Sequence, residues 1–322
     1  MNIGILGLRG RWPVLALPAI LLGLACSPGG GDSITPGALR VASTIGMITD
    51  IVGVVGGSRV EVEGLMGPGV DPHLFKASAG DVRTLAGADA IFYNGLHLEA
   101  AMAEVLEEMS DRKPTFAVTD GIDRDLLHRS AIYQDNYDPH VWFDVTMWSS
   151  AVDRVEEALV QLDPAGEPEF RANAAALRDT LQVLDSWVRE RVADVPPELR
   201  VLITAHDAFE YFGKQYGFEV IGLQGISTAT EAGTGDVQRM VDAIIERRIP
   251  AIFVETSVPR RTIEAVQAAV RSRGFNVEIG GSLFSDAMGD PGTPEGRYPG
   301  MVRHNVNMIV TALQSPNDEV PE

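Results

Sequence analysis

The sequence predicts an α/β protein of two similar lobes, each a mostly parallel four-stranded sheet flanked by helices, joined by one long rigid α-helix. Three observations carry this. The chain has 322 residues, more than one hydrophobic core usually holds, which suggests two domains of about 120 to 150 residues. Short β-branched runs alternate with helical periodicity, the pattern of βαβ units. Between the halves lies one uninterrupted amphipathic stretch.

In chain order, residues 1–26 have the form of an export signal. Arg9 and Arg11 precede an uncharged apolar run at 12–25, too short to span a bilayer. That run ends at Cys26, the sole cysteine. Leu22-Gly23-Leu24-Ala25-Cys26 resembles a bacterial lipoprotein box; the alternative is a plain signal peptide in which the cysteine is coincidental. With Cys26 lipidated, the mature chain has no disulfide and no thiolate ligand. Residues 27–37, rich in Gly, Ser and Pro, read as a flexible tether.

The first lobe, 38–163, offers strands at 39–44, 60–66, 90–94 and 115–118. The connector, 164–197, contains a predicted helix at 169–193. Its apolar positions Phe170, Ala174, Leu177, Leu181, Leu184, Val188 and Val192 share one helical face, with prolines 164 and 168 before it and 196 and 197 after it. Such a connector permits slight rocking of the lobes rather than wide opening. The second lobe, 198–315, offers strands at 200–204, 219–223, 251–255 and 276–279, and 316–322 form a Pro-rich acidic tail.

A hydrophobic share of 45% with 22% charged residues is ordinary globular composition. The net charge of −19 argues against nucleic acid and against an anionic membrane surface as partners. Membrane contact is expected through the lipid anchor only.

The tripeptide Asp-Pro-His occurs at 71–73 and again at 138–140, using two of six histidines. Proline fixes its own φ and holds the preceding residue extended, so His73 and His140 project from stiffened turns and lose little freedom on ligation. The preceding aspartates have the spacing to accept a local backbone bond or to orient an imidazole. In open α/β sheets, ligands bind beyond the carboxyl ends of strands. His206 directly follows the strand at 200–204, and Asp286 follows the last strand through Gly280-Gly281-Ser282-Leu283-Phe284. His73, His140, His206 and Asp286 therefore form a candidate N3O metal site in the interlobe cleft, five-coordinate if the carboxylate is bidentate. Each has a plainer reading too. Asp-Pro is a common turn opener, and His206 and Asp286 stand where helix caps occur. His97, His128 and His304 lack a paired motif and read as surface or packing residues.

The chain resembles the TroA-like metal-binding lipoproteins, the cluster 9 (A-I) solute-binding subunits of bacterial manganese, zinc and iron ABC importers. The resemblance covers nearly all the mature chain. In the first lobe it rests on Asp71-Pro72-His73, Asn94-Gly95-Leu96-His97-Leu98-Glu99 and the run from Tyr137 through His140 to Asp144. In the second it rests on the run from Ala205-His206-Asp207 to Phe212, on Gly222-Leu223-Gln224-Gly225-Ile226-Ser227-Thr228, Phe253-Val254-Glu255 and Leu283-Phe284-Ser285-Asp286-Ala287-Met288-Gly289.

The resemblance implies that His73, His140, His206 and Asp286 are the protein ligands of Zn2+ or Mn2+, with Fe2+ as a further cargo. It implies a long helical backbone, delivery of the ion to an ABC permease and its ATPase, a monomer, and an anchored location in the periplasm or on the outer face of the cytoplasmic membrane. Glu255, at a strand end facing the cleft, is either an acceptor behind a ligand or the partner of an arginine. Zinc-specialised members commonly carry a His- and Asp-rich insert before the second ligand; residues 116–138 here contain one histidine, His128. Manganese-dedicated members often place Glu where His206 stands. Three imidazoles favour zinc thermodynamically. The rival class is a zinc hydrolase, which keeps one metal position open for water, and no nucleophile elbow, His-Glu-x-x-His helix or P-loop occurs in the chain. A surface adhesin of the same fold is compatible with transport.

Overall fold

In the first half, four strands form one wholly parallel sheet. They are β1 (Leu39–Ser43), β2 (Val60–Gly64), β3 (Ala90–Tyr93) and β4 (Thr115–Ala117), in the order β2-β1-β3-β4. The structure, a computed structural model, describes Met1 and residues 37–129 and 137–314. The predicted export signal with Cys26, the tether up to residue 36 and the tail at 316–322 lie outside the described residues. Every element belongs to the compact unit Ile34–Glu322. Among the described residues, no helix is long and apolar enough to cross a membrane.

Helices α1 (Gly46–Gly56), α2 (Ala79–Gly87), α3 (Ala103–Ser110) and α4 (Val145–Leu162) connect and follow these strands. The sheet packs on α1 through Ile48, Ile51, Val52 and Val55, all buried. Both ends of α2 are tied down. Ser78 and Asp81 form a reciprocal capping box at its start, while the Lys113 ammonium donates to the carbonyls of Leu85, Ala86 and Ala88 at 2.8, 2.7 and 2.6 Å at its end.

The connector α5 (Glu167–Val192) has 26 residues and therefore spans about 39 Å. The seven apolar residues predicted to face the core are its buried residues. Glu167 and Glu169 in the first turn and Arg189 and Arg191 in the last oppose the helix dipole. The helix packs against α1, α4 and α9 (Tyr298–Gln314).

In the second half, β5 (Val201–His206), β6 (Glu219–Gln224), β7 (Ala251–Glu255) and β8 (Glu278–Leu283) alternate with α6 (Glu210–Tyr216), α7 (Thr234–Glu246) and α8 (Arg261–Ser272). All four predicted strands are present and parallel. Their ladders form two pairs, β5 with β6 and β7 with β8, rather than one continuous four-strand ladder. Ile203 of β5 and Ile252 and Val254 of β7 share one buried cluster with α7 and α8. The last strand runs four residues further than the pattern suggests. Gly280 and Gly281 look like loop by propensity, but the strand passes through them at a register shift opposite Ile252 and Phe253. That extension carries the chain to the residues just before Asp286.

A candidate metal centre

His73 lies beyond the carboxyl end of β2. Its backbone N–H donates to Asp71 Oδ1 at 2.9 Å, and the other Asp71 oxygen accepts the Thr228 hydroxyl at 2.5 Å. The second Asp-Pro-His is wired differently. Asp138 Oδ1 accepts the His140 N–H at 3.0 Å and also lies 2.6 Å from His140 Nδ1. A carboxylate only accepts, so Nδ1 carries the proton and the Nε2 edge faces away from Asp138. The two copies of the motif share a turn, and only one aspartate touches its imidazole.

His206 ends β5. Glu255, ending β7, accepts its N–H at 2.9 Å and lies 2.5 Å from its Nδ1. Glu255 thus contacts both the backbone and the imidazole of His206. Asp286 follows β8, and no helix begins there; α9 starts at Tyr298. Nor does His206 cap α6, which starts at Glu210 without a side-chain cap bond. Their readings as helix caps are thus excluded.

The geometry brings all four candidates together. One ligand atom from each of His73, His140, His206 and Asp286 lies within 4.8 Å of the others. Asp286 Oδ1 is 3.4 Å from His140 Nε2, and Oδ2 is 3.3 Å from His206 Nε2 and 3.7 Å from His73 Nε2. His73 Nε2 and His140 Nε2 are 3.3 Å apart. The residues are 5, 0, 0 and 1% exposed, in chain order, so the group is sealed from bulk water. Among the described residues, both Asp286 oxygens and His206 Nε2 are buried without a hydrogen-bond partner. Leaving a carboxylate so is expensive, and a divalent cation at the common centre would satisfy every orphan at once. The donor set fits a transition metal.

The electrostatics agree. Burial alone would raise the Asp286 carboxyl, but His206 and His140 beside it hold it well below its usual range. Burial would lower His140, yet the Asp138 carboxylate, with Asp286, lifts it to about 9. His206 is likewise raised by Glu255 and Asp286 against the effect of burial. Burial dominates at His73, which falls to about 3 and stays neutral.

The remaining histidines stand apart. His97 is exposed in a left-handed turn, with φ of 66°. The His128 ring packs 4.4 Å from that of Tyr211, whose hydroxyl donates to the Asp138 carbonyl at 2.9 Å. His304 bonds the Ser282 carbonyl at 3.0 Å. Trp142, Thr228 and Tyr211 brace the segments that carry the candidate ligands and were not singled out from sequence. They lie inside or beside motifs, but nothing in their spacing reveals contacts made across the fold.

Fold and site together define a class: an α/β binding protein with a buried His3Asp centre between a parallel sheet and two parallel strand pairs. The profile described as "Zinc-uptake complex component A periplasmic" (ZnuA) matches residues 41–312, and the chain belongs to that family. It is 49% identical over 300 residues to the zinc-binding protein TroA of Treponema pallidum (strain Nichols), covering 93% of this chain and 96% of that one. It is 47% identical over 276 residues to the manganese-binding lipoprotein MntA of Bacillus subtilis (strain 168), covering 86% and 90%. The solved structure of the periplasmic zinc-binding protein TroA from Treponema pallidum superposes with a TM-score of 0.85, covering 87% of this chain and all of that one.

Proposed function

We propose that this chain is an extracytoplasmic solute-binding protein that captures a divalent transition metal, zinc or manganese, and delivers it to the permease and ATPase of an ABC importer. The observation that carries this is the buried Asp286 carboxylate, partnerless and ringed by three imidazoles. His73 and His140 come from the first half and His206 and Asp286 from the second, so the ion clasps the two together. The chain is read as lobes 38–163 and 198–315 joined through 164–197, acting as a monomer, exported by residues 1–26 and anchored through Cys26. Four protein donors around one centre leave little room for a catalytic water, which favours a binding protein over an enzyme.

In this account the hydrated ion loses water to the four donors and displaces the protons on His140 and His206. Asp138 and Glu255 hold the two rings in register for it. The ligated halves move together by the small rotation that α5 allows, and that form is what the permease recognises. Relatives named for zinc and for manganese both align over most of the chain. Three imidazoles predict that zinc binds tighter in solution. The test is calorimetric titration of demetallated protein with each ion. His140→Ala and Asp286→Ala are expected to weaken binding by about 100-fold or more with the metal-free melting transition retained. Unchanged affinity in both variants would remove the assignment.

A further inference from the structure

The four candidate ligands are not equally anchored. The imidazoles of His140 and His206 each rest on a carboxylate, Asp138 and Glu255. Among the described residues, the Asp286 carboxylate rests on nothing outside the site: neither oxygen has a hydrogen-bond partner, and only the site imidazoles approach them. Any restraint on it from outside the site therefore comes through its backbone. Immediately before it, the Ser285 carbonyl accepts the indole N–H of Trp142 at 3.1 Å. Trp142 is two residues from His140, fully buried, and packs edge-on to the His140 ring at 5.3 Å and 74°. Its own carbonyl accepts the Tyr298 hydroxyl at 2.7 Å, and the Tyr298 N–H donates to Asp50 at 2.9 Å. Trp142 thus joins the His140 segment of the first half to the Asp286 segment of the second, and is itself fixed from α9 and α1.

Held this way, Asp286 turns both oxygens inward. Oδ1 faces His140, while Oδ2 faces His206 and His73. Three imidazoles and a two-oxygen carboxylate form a five-donor set. A four-donor tetrahedral arrangement, which suits zinc, needs only one of those oxygens. Manganese lies at the weak end of the divalent affinity order and competes only where geometry supplies the higher coordination it accepts.

We propose that Trp142 is a positioning residue that keeps both Asp286 oxygens on the ion and so sustains manganese binding against zinc. The proposal rests on the metal-binding reading above. Loosening the Ser285–Asp286 backbone lets the carboxylate turn to one-oxygen ligation. Zinc tolerates that change and manganese does not.

The experiment is competitive titration of Zn2+ and Mn2+ against demetallated wild-type protein, Trp142→Phe and Tyr298→Phe. Trp142→Phe keeps an aromatic ring beside His140 and removes the indole N–H; Tyr298→Phe leaves the indole in place and releases its carbonyl. Trp142→Phe is expected to weaken manganese about 10-fold or more, in the range of lost outer partners of a metal site, with zinc changed about threefold or less. Tyr298→Phe is expected to shift the ratio in the same direction by a smaller factor. A general loss of packing weakens both metals together, so an unchanged ratio, or one moving toward manganese, overturns the proposal. If Trp142→Phe does not fold, the ratio in Tyr298→Phe decides. Wild-type protein that binds neither ion would overturn the metal-binding reading itself, an outcome distinct from a wild type that binds both with a ratio indifferent to Trp142.

Discussion

At the scale of the residue, two identical tripeptides do different work. His140 is both a candidate ligand and a ring braced by Asp138, whereas Asp71 serves the backbone of His73 and the hydroxyl of Thr228. Local turn chemistry was legible in the sequence because Asp-Pro dictates it. Which aspartate reaches a ring was not, because side-chain reach is set by neighbours far along the chain. The same contacts make binding depend on pH. His140, raised to about 9, and His206, also raised, hold protons near neutrality that a metal must displace. Affinity should therefore rise with pH through neutrality and up to about 9, where His140 gives up its proton, since ligation needs neutral imidazole. His73, already neutral, adds nothing to this slope. Calorimetry at pH 7 in buffers of different ionisation enthalpy is expected to show release of about two protons per ion. No proton release would contradict the assigned charge states.

At the scale of the element, strands deliver the four candidate ligands to a single cluster. Periodicity and β-branching located seven of the eight strands closely; the eighth was cut short because two glycines hid its course through a register shift. The buried face of α5 was fully legible, since a 3.6-residue period repeated over 26 residues leaves little ambiguity. Less visible were close approaches between elements. Gly222 of β6 pairs with Thr204 of β5, and a Cβ there would stand 2.5 Å from the Asp207 backbone nitrogen, directly after His206. Gly222→Ala is expected to lower stability by about 1–3 kcal/mol and to weaken metal binding as well by displacing the His206 turn. Thermal melting and metal titration of the variant check this. Wild-type values in both would mean the turn absorbs the methyl group freely.

At the scale of the whole molecule, the sequence revealed the α/β class, the connector helix and the four clustered residues. Chemistry-bearing side chains at strand ends are placed by topology, and topology follows from element order. The division of the second half into two strand pairs was hidden, since it depends on how β5 and β7 approach each other. With candidate ligands drawn from both halves, ion binding should stabilise the fold as a unit. An ion present at a thousand times its Kd adds about 4 kcal/mol, a rise in Tm of about 8 to 16 °C at the sensitivity of large domains. Zinc and manganese should both raise the transition, and a chelator should reverse it. Magnesium should leave it unmoved, because a hard cation gains little from imidazole. The most direct measurement is X-ray absorption fine structure at the zinc edge of the zinc-loaded protein. The predicted first shell holds three imidazole nitrogens at about 2.0–2.1 Å and carboxylate oxygen at about 2.0–2.2 Å. A shell dominated by water oxygens, with fewer than three imidazoles, would contradict a centre built from His73, His140, His206 and Asp286.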